Sequence, residues 1–284
     1  MHTPVLLKET IYFLNPEPGD TILDATINGG GHAREILRAI GEKGRLIGID
    51  RDAEALKEIK PEKNLVLING NFREVNKLVK EKLNGAMFDL GMSSSQIESS
   101  GRGFSFQKDE PLLMSYKTEN NLTAREIVNK WTEKDISDVL FKYGEERYSR
   151  RIARNIVEKR KRKPIETTFD LVDIIRGSVP RQYRHGRINC ATRTFQALRI
   201  AVNDEINALK EGIEKVWKMI SEEGRLVIIS FHSLEDRVVK NFLKKLKEEK
   251  QGIILTKKPI IPTIDEKKIN PRSRSAKLRA IKKI

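Results

Sequence analysis

The sequence predicts an α/β protein: a mainly parallel, doubly wound sheet interrupted by an inserted helical domain. Three observations carry that reading. The stretch from Thr21 to Asp52, TILDATINGGGHAREILRAIGEKGRLIGIDRD, runs strand, glycine turn, helix, strand, with an acid closing each strand. Short apolar runs recur at Leu65 to Ile68, Gly85 to Leu90 and Arg225 to Phe231, with helical spacing between them and polar residues after them. From about Arg102 to Asn203 that rhythm stops and helical patterns remain without a convincing strand. The expected division is therefore residues 1–101 with 204–284 for the sheet domain and 102–203 for the insert, and 284 residues suffice to bury a sizeable core.

Taken in order, Val5, Leu6, Ile11 and Leu14 lie close to helical spacing, and the Pro-Glu-Pro-Gly that follows stops that helix. In the first βαβ unit, Gly29, Gly30 and Gly31 let the backbone take positive φ and approach a ligand at the strand's carboxyl end. Asp50 stands about 20 residues further on, where an acid can accept both hydroxyls of a ribose. The loop reads GGGHAR, so the GxGxxG fingerprint of a pyrophosphate site is missing. That argues against an NAD-dependent dehydrogenase and favours a nucleoside without phosphates, such as S-adenosylmethionine. Ala53 to Ile59 predicts a short helix, and Phe72 follows the third strand, where a flat ring can lie along an adenine. Val75, Leu78, Val79 and Leu83 predict the next helix. The fourth strand opens into Gly91-Met92-Ser93-Ser94-Ser95-Gln96 at the same sheet edge, which makes Asp89, Ser93, Ser94 and Gln96 the first catalytic candidates. Ile206, Leu209, Ile213, Trp217 and Ile220 form a helical stripe leading into the fifth strand, which ends at His232 and Ser233. A charged helix from Asp236 to Glu249 and strand candidates at Ile253 to Thr256 and Lys277 to Ile281 complete the chain.

The net charge is +15, and it is segregated. Nine Lys or Arg fall between Arg147 and Lys163 against the single acid Glu158, and six arginines between Arg176 and Arg199 against none. Tyr183, His185 and Phe195 are interleaved with the latter, and the tail adds Arg272, Arg274, Lys277, Arg279, Lys282 and Lys283. Such clustering predicts a polyanionic partner, RNA or DNA, held by the insert and the tail. A binding scaffold without activity would account for the charge, but not for polar residues at the ends of strands one, two, four and five. One cysteine, Cys190, excludes an internal disulfide, and the four histidines are scattered, so no metal is expected. No apolar run approaches the roughly 20 residues of a membrane span. No targeting segment is read at the N-terminus. The expectation is a cytoplasmic protein, monomer or homodimer.

Several strings occur together and in order: HTPVLLKE, DATINGGGH, DLGMSSSQ followed by RGFSF, YGEER, ATRTFQALRIAVN, ISFHSLEDRVVK and NPRSRSAKLRA. In combination they resemble the RsmH (MraW) family of bacterial small-subunit ribosomal RNA methyltransferases, over essentially the whole chain. The resemblance implies a class I S-adenosylmethionine-dependent methyltransferase, Rossmann-like, acting on N4 of a cytidine in the decoding region of 16S ribosomal RNA. It places cofactor contacts on Gly30, Gly31, His32, Asp50, Phe72, Asp89 and Gln96. The exocyclic amine of cytosine is a poor nucleophile, and acceptors that localise its lone pair would come from Asp89 or the carbonyls of Leu90 to Ser94. With Ser93, Ser94 and His232 these are the catalytic candidates. The sequence departs from the family at Asn28, which replaces glycine, at Leu113, Ser115 and Lys117 in PLLMSYK, and at Asn189-Cys190 before ATRTFQ.

Overall fold

The computed structural model describes residues 4–93, 96–97, 100–116 and 122–284. The chain divides into two compact units, Met1–Ser93 with Ile206–Ile284, and Ser94–Glu205.

The first unit is built on a seven-stranded sheet: β1 (Thr21–Asp24), β2 (Arg45–Asp50), β3 (Leu65–Asn69), β4 (Leu83–Asp89), β5 (Ile220–Ser230), β6 (Gly252–Ile254) and β7 (Lys277–Lys283). Their order is β3-β2-β1-β4-β5-β7-β6, with β1 to β5 parallel and β7 antiparallel to both its neighbours. This is the Rossmann-like, mainly parallel sheet that the sequence predicts. The order reverses between β1 and β4, so a crevice opens at their carboxyl ends, the place where open α/β sheets bind ligands.

Strand alternation assigns the two faces. Leu23, Ile47, Phe88, Leu226 and Ile228 point to one layer, packed with Leu209, Ile213 and Trp217 of the helix Glu205–Met219 and with Val239 and Leu243 of the helix Ser233–Glu248. Ile22, Leu46, Met87, Val227 and Ile229 point to the other, against Leu14 of α1 (Leu7–Leu14) and Ile36 and Ile40 of α2 (Gly31–Ile40). Because both faces are covered, these strands are continuous apolar runs rather than alternating ones. Each buried Leu, Ile or Phe contributes about 1.5–3 kcal/mol on removal from water. The strings SFHSLEDR and NPRSRSAKLRA meet where Arg279 Nε donates to Asp236 Oδ1 at 2.7 Å and Lys277 Nζ to Oδ2 at 3.2 Å. That pair fixes β7 beside β5.

Two local expectations give way. The helix expected through Leu83 is only α4 (Val75–Leu78), which follows the short helix α3 (Ala53–Lys57) and a 3-10 turn at Phe72–Glu74. Val79 turns extended, with φ −121 and ψ 132, so Leu83 starts β4 instead of ending a helix. Likewise Ile220, assigned to the helical stripe, begins β5, because it pairs with Leu83 across a register shift.

The second unit holds α5 (Ala124–Lys130), α6 (Glu133–Gly144), α7 (Ser149–Arg160), α8 (Thr168–Ser178), α9 (Arg181–Arg184) and α10 (Thr192–Asn203). The helices Glu205–Met219, Ser233–Glu248 and Ile264–Ile269 follow as α11, α12 and α13. Its starts are written in threonine: Thr123, Thr132 and Thr167 each accept a backbone N–H of their helix, and Thr167 forms a capping box with Asp170. Its own core gathers Ile127, Leu140, Ile152, Ile156, Leu171, Ile175 and Leu198. Among its described residues no strand forms, only the single bridge Pro111 to Thr167. No helix among the described residues is long and apolar enough to cross a membrane.

Candidate cofactor and catalytic site

The loop after β1 is sewn to its neighbours before any side chain is considered. Ala25 N donates to Met87 O and Ile27 N to Ile49 O, both at 2.9 Å, so the turn is anchored on β4 and β2 together. Asn28 and Gly30 lie in the left-handed region, with φ 48 and 73. Asparagine is among the few non-glycine residues that tolerate that conformation, so Asn28 can stand at a turn position that suits glycine. Its side chain is also used: Nδ2 donates to Thr26 O at 3.0 Å and to Asp89 O at 3.4 Å. Gly30 caps α2, and His32 sits in that helix's first turn, buried, with Nε2 3.0 Å from Val5 O and Nδ1 3.6 Å from Asp89 Oδ2.

Three carboxylates end the adjacent strands β2, β1 and β4: Asp50, Asp24 and Asp89, exposed by only 7, 2 and 5%. Burial pushes the Asp24 carboxyl up to about 8, and the charges of Asp89 and Asp50 push the same way against a hydrogen bond from Thr26 N. Burial raises Asp50 to about 6, opposed by backbone hydrogen bonds from Asp52 and Asn28. These bonds are 2.8 Å to Oδ1 and 2.9 Å to Oδ2, and each oxygen keeps a further lone pair to accept a hydroxyl. Asp89 is held by Thr26 Oγ1, which accepts its N–H at 2.6 Å, and by Gly91 N, which donates to Oδ1 at 3.1 Å.

The other candidates are distributed as follows. Phe72 is a buried ring edge-on to Phe88, centroids 5.4 Å apart, with the Arg51 guanidinium 4.8 Å from its centroid. Ser93 is buried in the loop after β4. Ser94 and Lys117 lie outside the described residues. Gln96 is buried and belongs to the second unit. His232 caps α12: Nδ1 accepts Glu235 N at 3.3 Å, while Glu235 Oε2 accepts Phe231 N at 2.8 Å and His232 N at 3.2 Å. Its Nε2 is 3.0 Å from Glu235 Oε1 without hydrogen-bond alignment. The first unit thus brings Gly30, Gly31, His32, Asp50 and Asp89 to one turn, and places His232 at the end of the strand next to β4.

Compared with known proteins, residues 1–284 match the MraW methylase family from end to end. The chain belongs to the MraW methylase family. It is 45% identical to the "Ribosomal RNA small subunit methyltransferase H" of Clostridium botulinum (strain Kyoto / Type A2), over 100% of this chain and 99% of that protein. The protein of the same name from Dictyoglomus thermophilum is 46% identical, over 98% and 95%. Among solved structures, an rRNA methylase from Streptococcus thermophilus aligns over 100% of this chain and 99% of its own, with a TM-score of 0.46 and 12% identity.

S-adenosylmethionine is the methyl donor of this MraW methylase, and the residues present fit it. The donor carries positive charge on sulfur and on the α-ammonium, and the strand ends offer three buried carboxylates, of which Asp24 and Asp50 are raised by burial and would gain from a cationic neighbour. Asp24 is the residue that sequence reasoning passed over as a site residue. The available signal was that β1 closes on an acid as β2 and β4 do.

Proposed function

We propose that this MraW methylase transfers a methyl group from S-adenosylmethionine to N4 of a cytidine in the decoding region of small-subunit ribosomal RNA, working in the cytoplasm without a metal. The observation that carries the reading is the convergence of Asp24, Asp50 and Asp89 on the turn of Gly30 and His32. It occurs in a chain whose full-length relatives bear the name ribosomal RNA small subunit methyltransferase H. The cytidine N4 target comes from the family resemblance. The helical unit, with Arg147 to Lys163 and Arg176 to Arg199, is the RNA-holding part.

When bound, S-adenosylmethionine supplies a methyl carbon activated by positive sulfur. The protein's part is alignment and proton handling. Asp50 accepts the ribose hydroxyls through the free lone pairs of its two oxygens, while Asn28 N and Asp52 N hold the carboxylate in place. Asp24 and Asp89 supply the negative charge that a cationic ligand requires. Asp89 Oδ2 would accept a hydrogen bond from the cytidine N4–H, localising the nitrogen lone pair, and would take up the proton released as the N–C bond forms and the S–C bond breaks, with the thioether product leaving. The target base leaves its stack to reach the strand ends. Phe72 and Ser93 belong to the same unit as these strand ends, whereas roles for Gln96 and Ser94 rest on the sequence and its family resemblance alone.

The reading is tested by incubating the full chain with labelled S-adenosylmethionine and small subunits from cells lacking the gene, then separating nucleosides by mass spectrometry. One labelled methyl on N4 of cytidine is expected. Label on another base would leave a methyltransferase with a different target, and no label on the subunit would end the ribosomal reading. Asp89→Ala should lower turnover on the order of 10²–10⁴-fold, and full turnover would remove Asp89 from the mechanism.

A further inference from the structure

The strings YGEER and ATRTFQALRI meet in the second unit in a feature that methyl transfer does not use. The turn Tyr143 to Arg147 joins α6 to α7, and α10 grips its carbonyls. Gln196 Nε2 donates to Tyr143 O and Arg193 Nη1 to Glu145 O, both at 3.0 Å. At Gly144 the two backbones come so close that a Cβ would stand 2.5 Å from Arg193 O. Glu145 then reverses the chain in the left-handed region, φ 50. The next residue, Glu146, is fully buried. A buried carboxylate is strongly unfavourable unless its oxygens are satisfied. Here Oε1 accepts Tyr148 N at 2.8 Å and Oε2 accepts the Tyr183 hydroxyl at 2.7 Å. Burial and this bond push the Tyr183 hydroxyl up to about 12, so it remains a donor at all working pH values.

The anchoring therefore serves to position two half-buried rings and one exposed guanidinium. Tyr148 and Tyr183 meet edge to face, with centroids 4.9 Å apart. The Arg147 guanidinium carbon lies 4.9 Å from one centroid and 4.8 Å from the other. Arg147 is exposed, and no carboxylate among the described residues pairs with it. Arg150, Arg151 and Arg154 follow at spacings of three, four and seven residues, on one helix face, all exposed. The first turn of α7 holds no acid, and among the described residues only Arg154 of these arginines forms an ion pair, with Glu133 at 3.8 Å. Cations gathered at the positive end of a helix repel both the dipole and one another, so an anion relieves them.

We infer that Arg147, Tyr148 and Tyr183 form a stacking platform for an unpaired RNA base, with Arg150, Arg151 and Arg154 taking the flanking phosphates. The inference rests on the RNA reading above and assigns the surface that holds the RNA outside the methyl-transfer site. A guanidinium held against two rings and paired with no carboxylate among the described residues presents a flat cationic face, which suits a base, whereas a surface meant only for charge would need no such anchoring.

The test uses the full chain and a short unstructured oligoribonucleotide carrying one 2-aminopurine, read by anisotropy and by quenching of that base. Arg147→Ala should weaken binding roughly five- to hundred-fold and abolish the quench. Arg147→Lys, which keeps the charge and loses the plane, should fall nearly as far. Arg150→Ala and Arg151→Ala should each lower the salt slope by about 0.7 while leaving the quench intact. Arg150→Ala and Arg151→Ala should leave the melting temperature unchanged, Arg147→Ala should lower it only slightly through its two ring contacts, and S-adenosylmethionine affinity should hold in every variant. Wild-type affinity and quench in Arg147→Lys would overturn the platform, as would equal losses for duplex RNA or for an acidic peptide. A wild-type chain that binds S-adenosylmethionine but no RNA would bring down the RNA reading and this one together. RNA binding with silent Arg147 variants would fell this inference alone.

Discussion

Raising the pH from 6 to 8 should tighten S-adenosylmethionine binding, because the strand-end carboxylates must lose protons to receive a cation. Asp24 titrates at about 8 and Asp50 at about 6, both above the ordinary 3.8. If the donor binds only the ionised forms, its apparent dissociation constant carries a factor (1 + 10^(pKa−pH)) for each group. For Asp24 this factor is about 100 at pH 6 and about 2 at pH 8, and for Asp50 about 2 and about 1. The product falls about 100-fold, an upper limit of about 2.7 kcal/mol at 1.36 kcal/mol per pH unit. Titration calorimetry in buffers of equal ionic strength reads it directly. Asp24→Asn, a neutral isostere of the protonated form, should retain only the roughly two-fold slope left by Asp50. A wild-type affinity flat from pH 6 to 8, or a full slope persisting in Asp24→Asn, would refute the reasoning. The same shift acts on stability. A folded-state pKa above the unfolded one favours the fold fully below pH 4, and that advantage is lost as the pH rises toward 8. Asp24→Asn should therefore flatten the pH dependence of urea unfolding in that range.

Asn28→Ala should destabilise the first unit by about 1–3 kcal/mol in urea melts, since it removes two donated hydrogen bonds and puts a Cβ-bearing residue without a polar side chain at φ 48, whereas Asn28→Gly should lose less. His232→Ala should lower stability by about 0.5–2 kcal/mol through the lost cap of α12, while His232→Asn restores the cap. If His232→Asn also restores turnover, the histidine serves as a cap and not as a catalyst. Gly144→Ala should lower stability by about 1–3 kcal/mol, measured by thermal melting, because the added carbon meets backbone and not a flexible side chain.

Much of the sheet was legible because strands covered on both faces need uninterrupted apolar runs, and Leu46 to Ile49, Leu65 to Ile68 and Arg225 to Ser230 supply them. The Thr caps of α5, α6 and α8 are local hydrogen bonds that fix where those helices start, a signal that the reading from apolar periodicity did not use. Leu83 and Ile220 were not legible, because their identity suits a helix stripe and a buried strand equally, and it is their mutual pairing across β4 and β5 that makes them strand. Asp24 escaped notice for a related reason. An acid at a strand end is unremarkable alone, and becomes unusual only when it is buried beside Asp50 and Asp89.

The sequence by itself determined the βα rhythm, the glycine turn and the segregation of positive charge, since periodicity, backbone freedom and formal charge are properties of consecutive residues. The tertiary structure decided what those residues do to one another. It aligned three carboxylates from strands far apart in the chain and buried them until two of them, Asp24 and Asp50, stand well above the usual carboxylate range. It also closed Glu146 beneath two tyrosines so that Arg147 is fixed against both rings. Desolvation and long-range contact set these properties, and neither is written in the spacing along a chain.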